Sequence, residues 1–220
     1  MNILSLDSSG DLLSVALSKD GEVFTLNPKI ESKVSEIILI TIDEILNINN
    51  ISKEDINAII FNKGPASFTG TRVSASIAQA IGFSRNIPAV GISSLSLMAY
   101  QYFKSSQNSN ILCIKKAYSS KVYCAEFNII DNNYAPIKPI SLCEFSEINF
   151  MKVPKLYGVS NCWSNFSSND NLNLENNIIK VNQDSNSDAE LILEYVSSNY
   201  KMPSEFDLKE TFPDYANHEL

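Results

Sequence analysis

The chain has 220 residues, 44% of them hydrophobic and 19% charged, with a net charge of −8 and a single histidine. A chain of this length suits one large domain or two small ones and removes roughly 70% of its unfolded surface on folding. Its acidic balance, with Arg72 and Arg85 as the only arginines and Lys115-Lys116 too small to form a basic patch, disfavours a chain that grips nucleic acid by itself. His218 stands close to the end of the sequence. No histidine of the chain body is therefore a candidate for a zinc site, a Ser-His-Asp triad or a Cys-His dyad. Cys113, Cys124, Cys143 and Cys162 are widely spaced without a Cys-x-x-Cys pair, as expected of reduced intracellular thiols. No apolar run approaches the roughly 20 residues of a membrane span. Met1–Leu6 lack the basic start and cleavage site of a signal peptide. A cytoplasmic protein without membrane association is expected.

The first elements read clearly. Ile3–Leu6 is a short buried strand, followed by Leu13–Leu17 and Val23–Leu26. The last two are separated by Lys19-Asp20-Gly21, and Asp-Gly between apolar runs predicts a hairpin. Ser32 or Ser35 can cap a helix running to about Asn47. Its apolar residues, Val34, Ile37, Ile38, Leu39, Ile40, Ile42, Ile45 and Leu46, exceed one core-facing stripe, so two faces want burial. Either both faces are covered within the domain or the second meets another protein. Ser52-Lys53-Glu54-Asp55 resembles a helix start, and Ala58–Phe61 is a strand.

That strand runs into the most informative stretch, Asn62-Lys63-Gly64-Pro65-Ala66-Ser67-Phe68-Thr69-Gly70-Thr71-Arg72-Val73. Gly64-Pro65 predicts a turn, Ser67 and Thr69 are natural caps, and Gly70 permits close backbone approach. A slim helix follows from Val73 to about Ser84, with Val73, Ile77 and Ile81 on one side and small residues such as Ala78 elsewhere, so that another helix can come close. A strand, a polar glycine loop and a helix N-terminus together make the geometry of an anion or partner site at a sheet edge. Ala89–Ile92 is the next strand, and Leu95 to about Phe103 the next helix. Ser105–Asn110 is a polar linker between an N-terminal domain, 1–104, and a C-terminal one, 111–220. The latter is predicted to hold strands at Ile111–Ile114, Lys121–Phe127 and Leu156–Val159, a loop from Asn161 to Asn177, and a helix from Ala189 to Val196 entered from Ser187-Asp188. Three strands joined by tight turns, then alternating helices and strands, place the chain in the α/β class.

Gly64-Pro65-Ala66-Ser67-Phe68-Thr69-Gly70-Thr71-Arg72-Val73 resembles the Gly-Pro-Gly-Ser-Phe-Thr-Gly-x-Arg signature of the TsaB (YeaZ) family, and Met1–Ser9 is similar to that family's opening strand and Asp-Thr-Ser turn. The resemblance covers residues 1–100 closely and is thinner beyond. It implies a two-lobed ribonuclease H-like fold of the sugar kinase, actin and heat-shock chaperone superfamily, with the second half a reduced, divergent copy. It also implies an accessory subunit that pairs with the catalytic paralogue TsaD to install threonylcarbamoyl on an adenosine of tRNA, with a TsaE-like ATPase as a further partner. The family pattern is altered at several places. Val34-Ser35-Glu36 stands for His-Ser-Glu, Ile40 for a proline, Lys116–Tyr123 for Asp-Ala-Arg-x-x-Glu-Val-Tyr, and Pro213–Asn217 for Pro-x-Tyr-x-Arg.

Asp7 occupies the superfamily's phosphate and metal turn, but Ser8-Ser9 follow where a glycine is usual. Asp7, Ser8 and Ser9 are thus either a turn that caps its own backbone or a vestigial nucleotide or Mg²⁺ contact. The loop from Gly64 to Gly70 lacks P-loop spacing and has no nucleophile beside a base. Arg72 either anchors the loop or pairs across an interface. The expected protein is a non-catalytic scaffold with no catalytic residues, no metal and no cofactor of its own, any ATP or ADP and Mg²⁺ lying at a partner interface. Val34, Ile37, Ile38, Ile42, Ile45, Arg72, Val73, Ile77, Ala78 and Ile81 are the expected interface for a TsaD-like subunit, or for a second copy when the chain is alone. Ile38→Glu or Ala78→Arg is then expected to weaken association without unfolding. tRNA is reached only through the complex. The rival reading is a small ATP-binding kinase or ATPase of the same superfamily with Asp7 at its metal. A metallopeptidase would need paired metal ligands that the sequence lacks.

Overall fold

In the computed structural model, residues 1–10, 12–30, 33–148, 153–165, 178–183 and 187–214 are described. Ser32, most of the 161–177 loop, residues 215–217 and His218 lie outside them. The strand β1 (Ile3–Asp7) is buried along its whole length, whereas β3 (Glu22–Leu26) is largely exposed. The difference is one of position. β1 is central in a five-stranded sheet of order β3-β2-β1-β4-β5, with β2 spanning Ser14–Lys19, β4 Ala58–Gly64 and β5 Ala89–Ser93. β1 pairs antiparallel with β2 and parallel with β4, so its neighbours require near-continuous apolar character. Asp20 and Gly21 both adopt positive φ at the β2–β3 turn, as the tight hairpin demands.

Two helices cover one face of this sheet. They are α1 (Val34–Ile48) and α2 (Phe68–Arg85). Leu4, Leu6, Val15, Leu17, Ile59 and Phe61 of the strands form one core with Val34, Ile38, Ile42, Ile45 and Leu46 of α1 and Ala75 and Ala78 of α2. A further helix, which follows α3 (Ser94–Ser106) in chain order, packs on β1, β2 and β4 from a distant part of the chain. It is α4 (Ala189–Asn199), and Asp188 caps it by accepting a hydrogen bond from the Leu191 N–H at 2.7 Å.

The chain divides into two compact units, the first comprising Met1–Ser94 with Asn186–Asp214 and the second Leu95–Ser185. The polar segment 105–110 joins α3 (Ser94–Ser106) to β6 (Asn110–Lys116) inside the second unit. That unit carries a sheet of order β10-β9-β6-β7-β8, with β7 at Lys121–Asn128, β8 at Ser141–Glu144, β9 at Leu156–Ser160 and β10 at Ile178–Asn182. Its core gathers Leu112, Ile114, Val122, Phe145, Leu156 and Trp163, and Tyr100 of α3 meets Tyr134 edge-on at 5.2 Å.

Several local expectations are corrected. α2 starts at Phe68, five positions before Val73. Ser67 stands at its N-cap position but makes no side-chain capping bond, and Thr69 lies inside the first turn. Phe, Thr and Gly are weak helix formers, and the turn is held by tertiary contacts described below. Ser35 is likewise inside the first turn of α1, whose N-cap position is Lys33. Ser52 opens only a short 3-10 turn, Lys53–Asp55, through a reciprocal capping box. β8 and β10 are edge strands with little buried surface, and so carry little alternation to read.

Candidate functional site

Asp7 ends β1 with 2% of its surface exposed. Its Oδ1 accepts the Ser9 N–H at 2.8 Å, and its Oδ2 accepts from Asn62 Nδ2 at 3.1 Å and Ser187 Oγ at 2.5 Å. Asn62, at the end of β4, is the hub of this network. Its Nδ2 also donates to Ser9 Oγ and Ser187 Oγ, while its Oδ1 accepts from the Gly64 N–H at 2.9 Å and from Ser94 Oγ at 2.7 Å. A buried carboxylate is tolerated only with such partners. These bonds are what a carboxylate capping its own turn makes.

The signature loop closes the same turn from the other side. Ser8 Oγ donates to the Gly70 carbonyl at 2.7 Å and shares a 2.6 Å hydrogen bond with Ser74 Oγ, and the Ser67 N–H donates to the Ser9 carbonyl at 3.2 Å. A Cβ on Gly70 would lie 1.7 Å from the Ser8 carbonyl oxygen. Glycine is thus required there by approach, not by φ. At Gly64 it is required by φ, which is +89°, and the adjoining Lys63 carbonyl accepts from the Asp214 N–H at 2.8 Å. Pro65 is buried beside it, while Ser67, Phe68 and Thr69 are exposed. Asp7, Ser8, Ser9, Ser67 and Gly70 are therefore brought together. The sequence reading missed Asn62 and Ser187, which are 125 positions apart. The only signal at Asn62 was an amide ending an apolar strand.

The outer surface of α1 and α2 is built differently. Ile38 and Ala78 are fully buried, and Val34, Ile42 and Ile45 lie with them in the unit's own core. This corrects their expected place in a partner interface, and Ile38→Glu or Ala78→Arg would disrupt the fold itself. Ile37, Val73, Ile77 and Ile81 are half-buried against that core. Of the expected interface residues Arg72 is exposed, whereas the large apolar side chains presented to solvent are ones the candidate interface omitted or placed elsewhere: Leu39 is 56%, Ile40 65% and Phe68 60% exposed. The Arg72 guanidinium lies 3.5 Å from the centre of the Phe68 ring one turn earlier, a cation–π stack. Leu39, Phe68, Thr69, Arg72, Val73 and Ile77 line an open, mostly apolar cavity of about 460 Å³ between the two helices. Arg85, the other arginine, donates to the carbonyls of Lys53, Glu54 and Ile56 and so fastens the 3-10 turn to the end of α2.

Among the described residues no group of three or more His, Cys, Asp or Glu side chains could hold a metal ion, and no helix is long and apolar enough to cross a membrane. The family model TsaD, tRNA N6-adenosine threonylcarbamoyltransferase, matches residues 26–182. A relative in Buchnera aphidicola (from Acyrthosiphon pisum), named tRNA threonylcarbamoyladenosine biosynthesis protein TsaB, is 35% identical over 125 residues, 57% of this chain and 57% of that one. The TsaB protein of Haemophilus influenzae is 36% identical over 126 residues, 57% of this chain and 53% of that one. The matched stretch thus spans little more than half the length of these curated relatives. YeaZ from Pseudomonas aeruginosa superposes with a TM-score of 0.74 over 97% of this chain and 99% of that one at 16% identity, which establishes the two-lobed ribonuclease H-like α/β fold. With the family model spanning most of its length, the chain belongs to the threonylcarbamoyltransferase family, within its TsaB (YeaZ) group.

Proposed function

We propose that the chain is a non-catalytic accessory subunit in the formation of threonylcarbamoyladenosine in tRNA, and that it binds a TsaD-like catalytic paralogue through the outer surface of α1 and α2. The observation that carries this reading is the exposure of Leu39 and Phe68 where they line an open apolar cavity, with exposed Ile40 next to Leu39 in the chain. Large apolar side chains gathered in one place, with a stacked arginine among them, have the composition of interface anchors. A pairing of ordinary size would bury about 800 Å² on each partner. The same surface would join two copies of the chain when the partner is missing.

The Asp7 turn, closed by its own hydrogen bonds, supports assigning the chemistry to the partner. Any nucleotide and Mg²⁺ used by the complex are then held by the catalytic subunit or at the shared interface, and a TsaE-like ATPase acts on the assembled pair. A net charge of −8 supports tRNA binding through the complex rather than by this chain. The assembly works where tRNA is modified, in the cytoplasm.

The test is to mix the purified chain with the TsaD-like subunit of the same organism and weigh the product by light scattering on a sizing column. A one-to-one complex that restores threonylcarbamoyl transfer to tRNA is expected. A chain that stays alone, or that turns over ATP by itself in a manner abolished by Asp7→Ala, would replace this reading with the ATPase.

A further inference from the structure

In the second unit, Cys124 and Cys143 lie on neighbouring antiparallel strands, and their sulfurs are 3.8 Å apart. β7 and β8 pair so that Val122 faces Cys143 and Cys124 faces Ser141. The two thiols are therefore diagonal neighbours on one face of the sheet. Cys124 is buried and Cys143 is half-exposed, so one sulfur is sheltered and the other can meet a small solute. We propose that Cys124 and Cys143 are a redox-modification site, a dithiol that hydrogen peroxide converts to a disulfide.

The roles follow from the surroundings. The contact with the Cys124 sulfur holds the Cys143 thiol below its usual range, against opposing effects of burial and of Glu147 and Glu144. The same contact, with burial, pushes the Cys124 thiol up. The thiolate is the attacking form, so Cys143 reacts first. Its sulfur attacks one peroxide oxygen, the O–O bond breaks, and hydroxide leaves and takes up the proton that Cys143 had released, giving a first water and a sulfenic acid at Cys143. Cys124 passes its proton to the departing oxygen and attacks the Cys143 sulfur. The S–S bond forms, the S–O bond breaks, and water leaves. Two thiols and one peroxide give one disulfide and two waters, sulfur being oxidised and peroxide reduced.

Closing the sulfurs from 3.8 Å to the roughly 2.0 Å of a disulfide requires one strand to move. β8 can do so, because it has four residues and ends the sheet with only β7 beside it. The other two thiols are placed differently. Burial pushes Cys113 up, and Cys162 is in contact with Ser160 Oγ at 3.0 Å. The acidic side chains that act on the pair, Glu126, Glu144 and Glu147, favour a neutral oxidant over an anionic one such as oxidised glutathione.

The experiment is to reduce the full chain, expose it to stoichiometric hydrogen peroxide, alkylate, and map the peptides by mass spectrometry. A Cys124–Cys143 linked peptide, lighter by two hydrogens, is expected. It should form at least about tenfold faster with peroxide than with oxidised glutathione, given like-charge repulsion. Cys143→Ser, at a half-exposed position, should leave the fold intact by circular dichroism and abolish the link. Sulfinic acid at Cys143 with Cys124 still free, a link to Cys162, or no link while a free thiol peptide in the same tube is oxidised would each overturn the proposal.

Discussion

The Asp7 turn and the outer surface of α1 and α2 belong to the same unit and are finished in opposite ways. In the turn, a buried carboxylate, an amide and three serine hydroxyls satisfy one another across segments far apart in the chain. On the helices, large apolar side chains are left in water around an open cavity. A motif with the composition of a ligand site becomes a structural joint once its donors and acceptors have found each other. A surface with no reactive group becomes the better functional candidate because folding leaves it unburied.

Substitutions can break that contrast from either side. Gly70→Ala should be the most damaging, because its Cβ would overlap the Ser8 carbonyl. A loss on the order of 4 kcal/mol in urea unfolding is expected, above the usual cost of overpacking because the clash is with backbone that no side chain can relieve. Ile38→Ala removes a fully buried side chain from the core under α1 and should cost about 3 kcal/mol. Asn62→Ala leaves Asp7, Ser94 and the Gly64 N–H without their shared partner. It should cost about 2 kcal/mol, with hydrogen exchange at the start of α2 rising before that of β2. Leu39→Glu, one position from Ile38 but in solvent, should change stability by under about 0.5 kcal/mol. A lower unfolding midpoint for Leu39→Glu than for Ile38→Ala would show that the inner and outer faces of α1 had been exchanged.

Much of this architecture was legible. The β2–β3 hairpin followed from Asp20-Gly21, and β1 and β4 from short apolar runs. The identity of the inner face of α1 was harder to read, because apolar residues occupy positions around much of the helix. The stripe Val34, Ile38, Ile42, Ile45 is spaced for burial, and Leu39 and Ile40 fall off it. Counting apolar residues signalled a second face without saying which residues composed it. The start of α2 was hidden because Phe68-Thr69-Gly70-Thr71 has poor intrinsic helicity, and the contacts of Ser67 and Gly70 with Ser8-Ser9 are 62 positions or so away in sequence. Ser187 was read only as a helix entry. Its bond to Asp7 depends on tertiary closure that no local pattern announces.

The central claim is that the exposed side of α1 and α2, not the Asp7 turn, carries the function. The direct measurement is titration calorimetry of the wild-type chain, Leu39→Glu and Asp7→Asn against the TsaD-like subunit, with each variant first shown to be folded. The account predicts binding by wild type and by Asp7→Asn, and at least a thirtyfold weakening, about 2 kcal/mol, for Leu39→Glu. Undiminished binding by a folded Leu39→Glu, or loss of binding confined to Asp7→Asn, would contradict it.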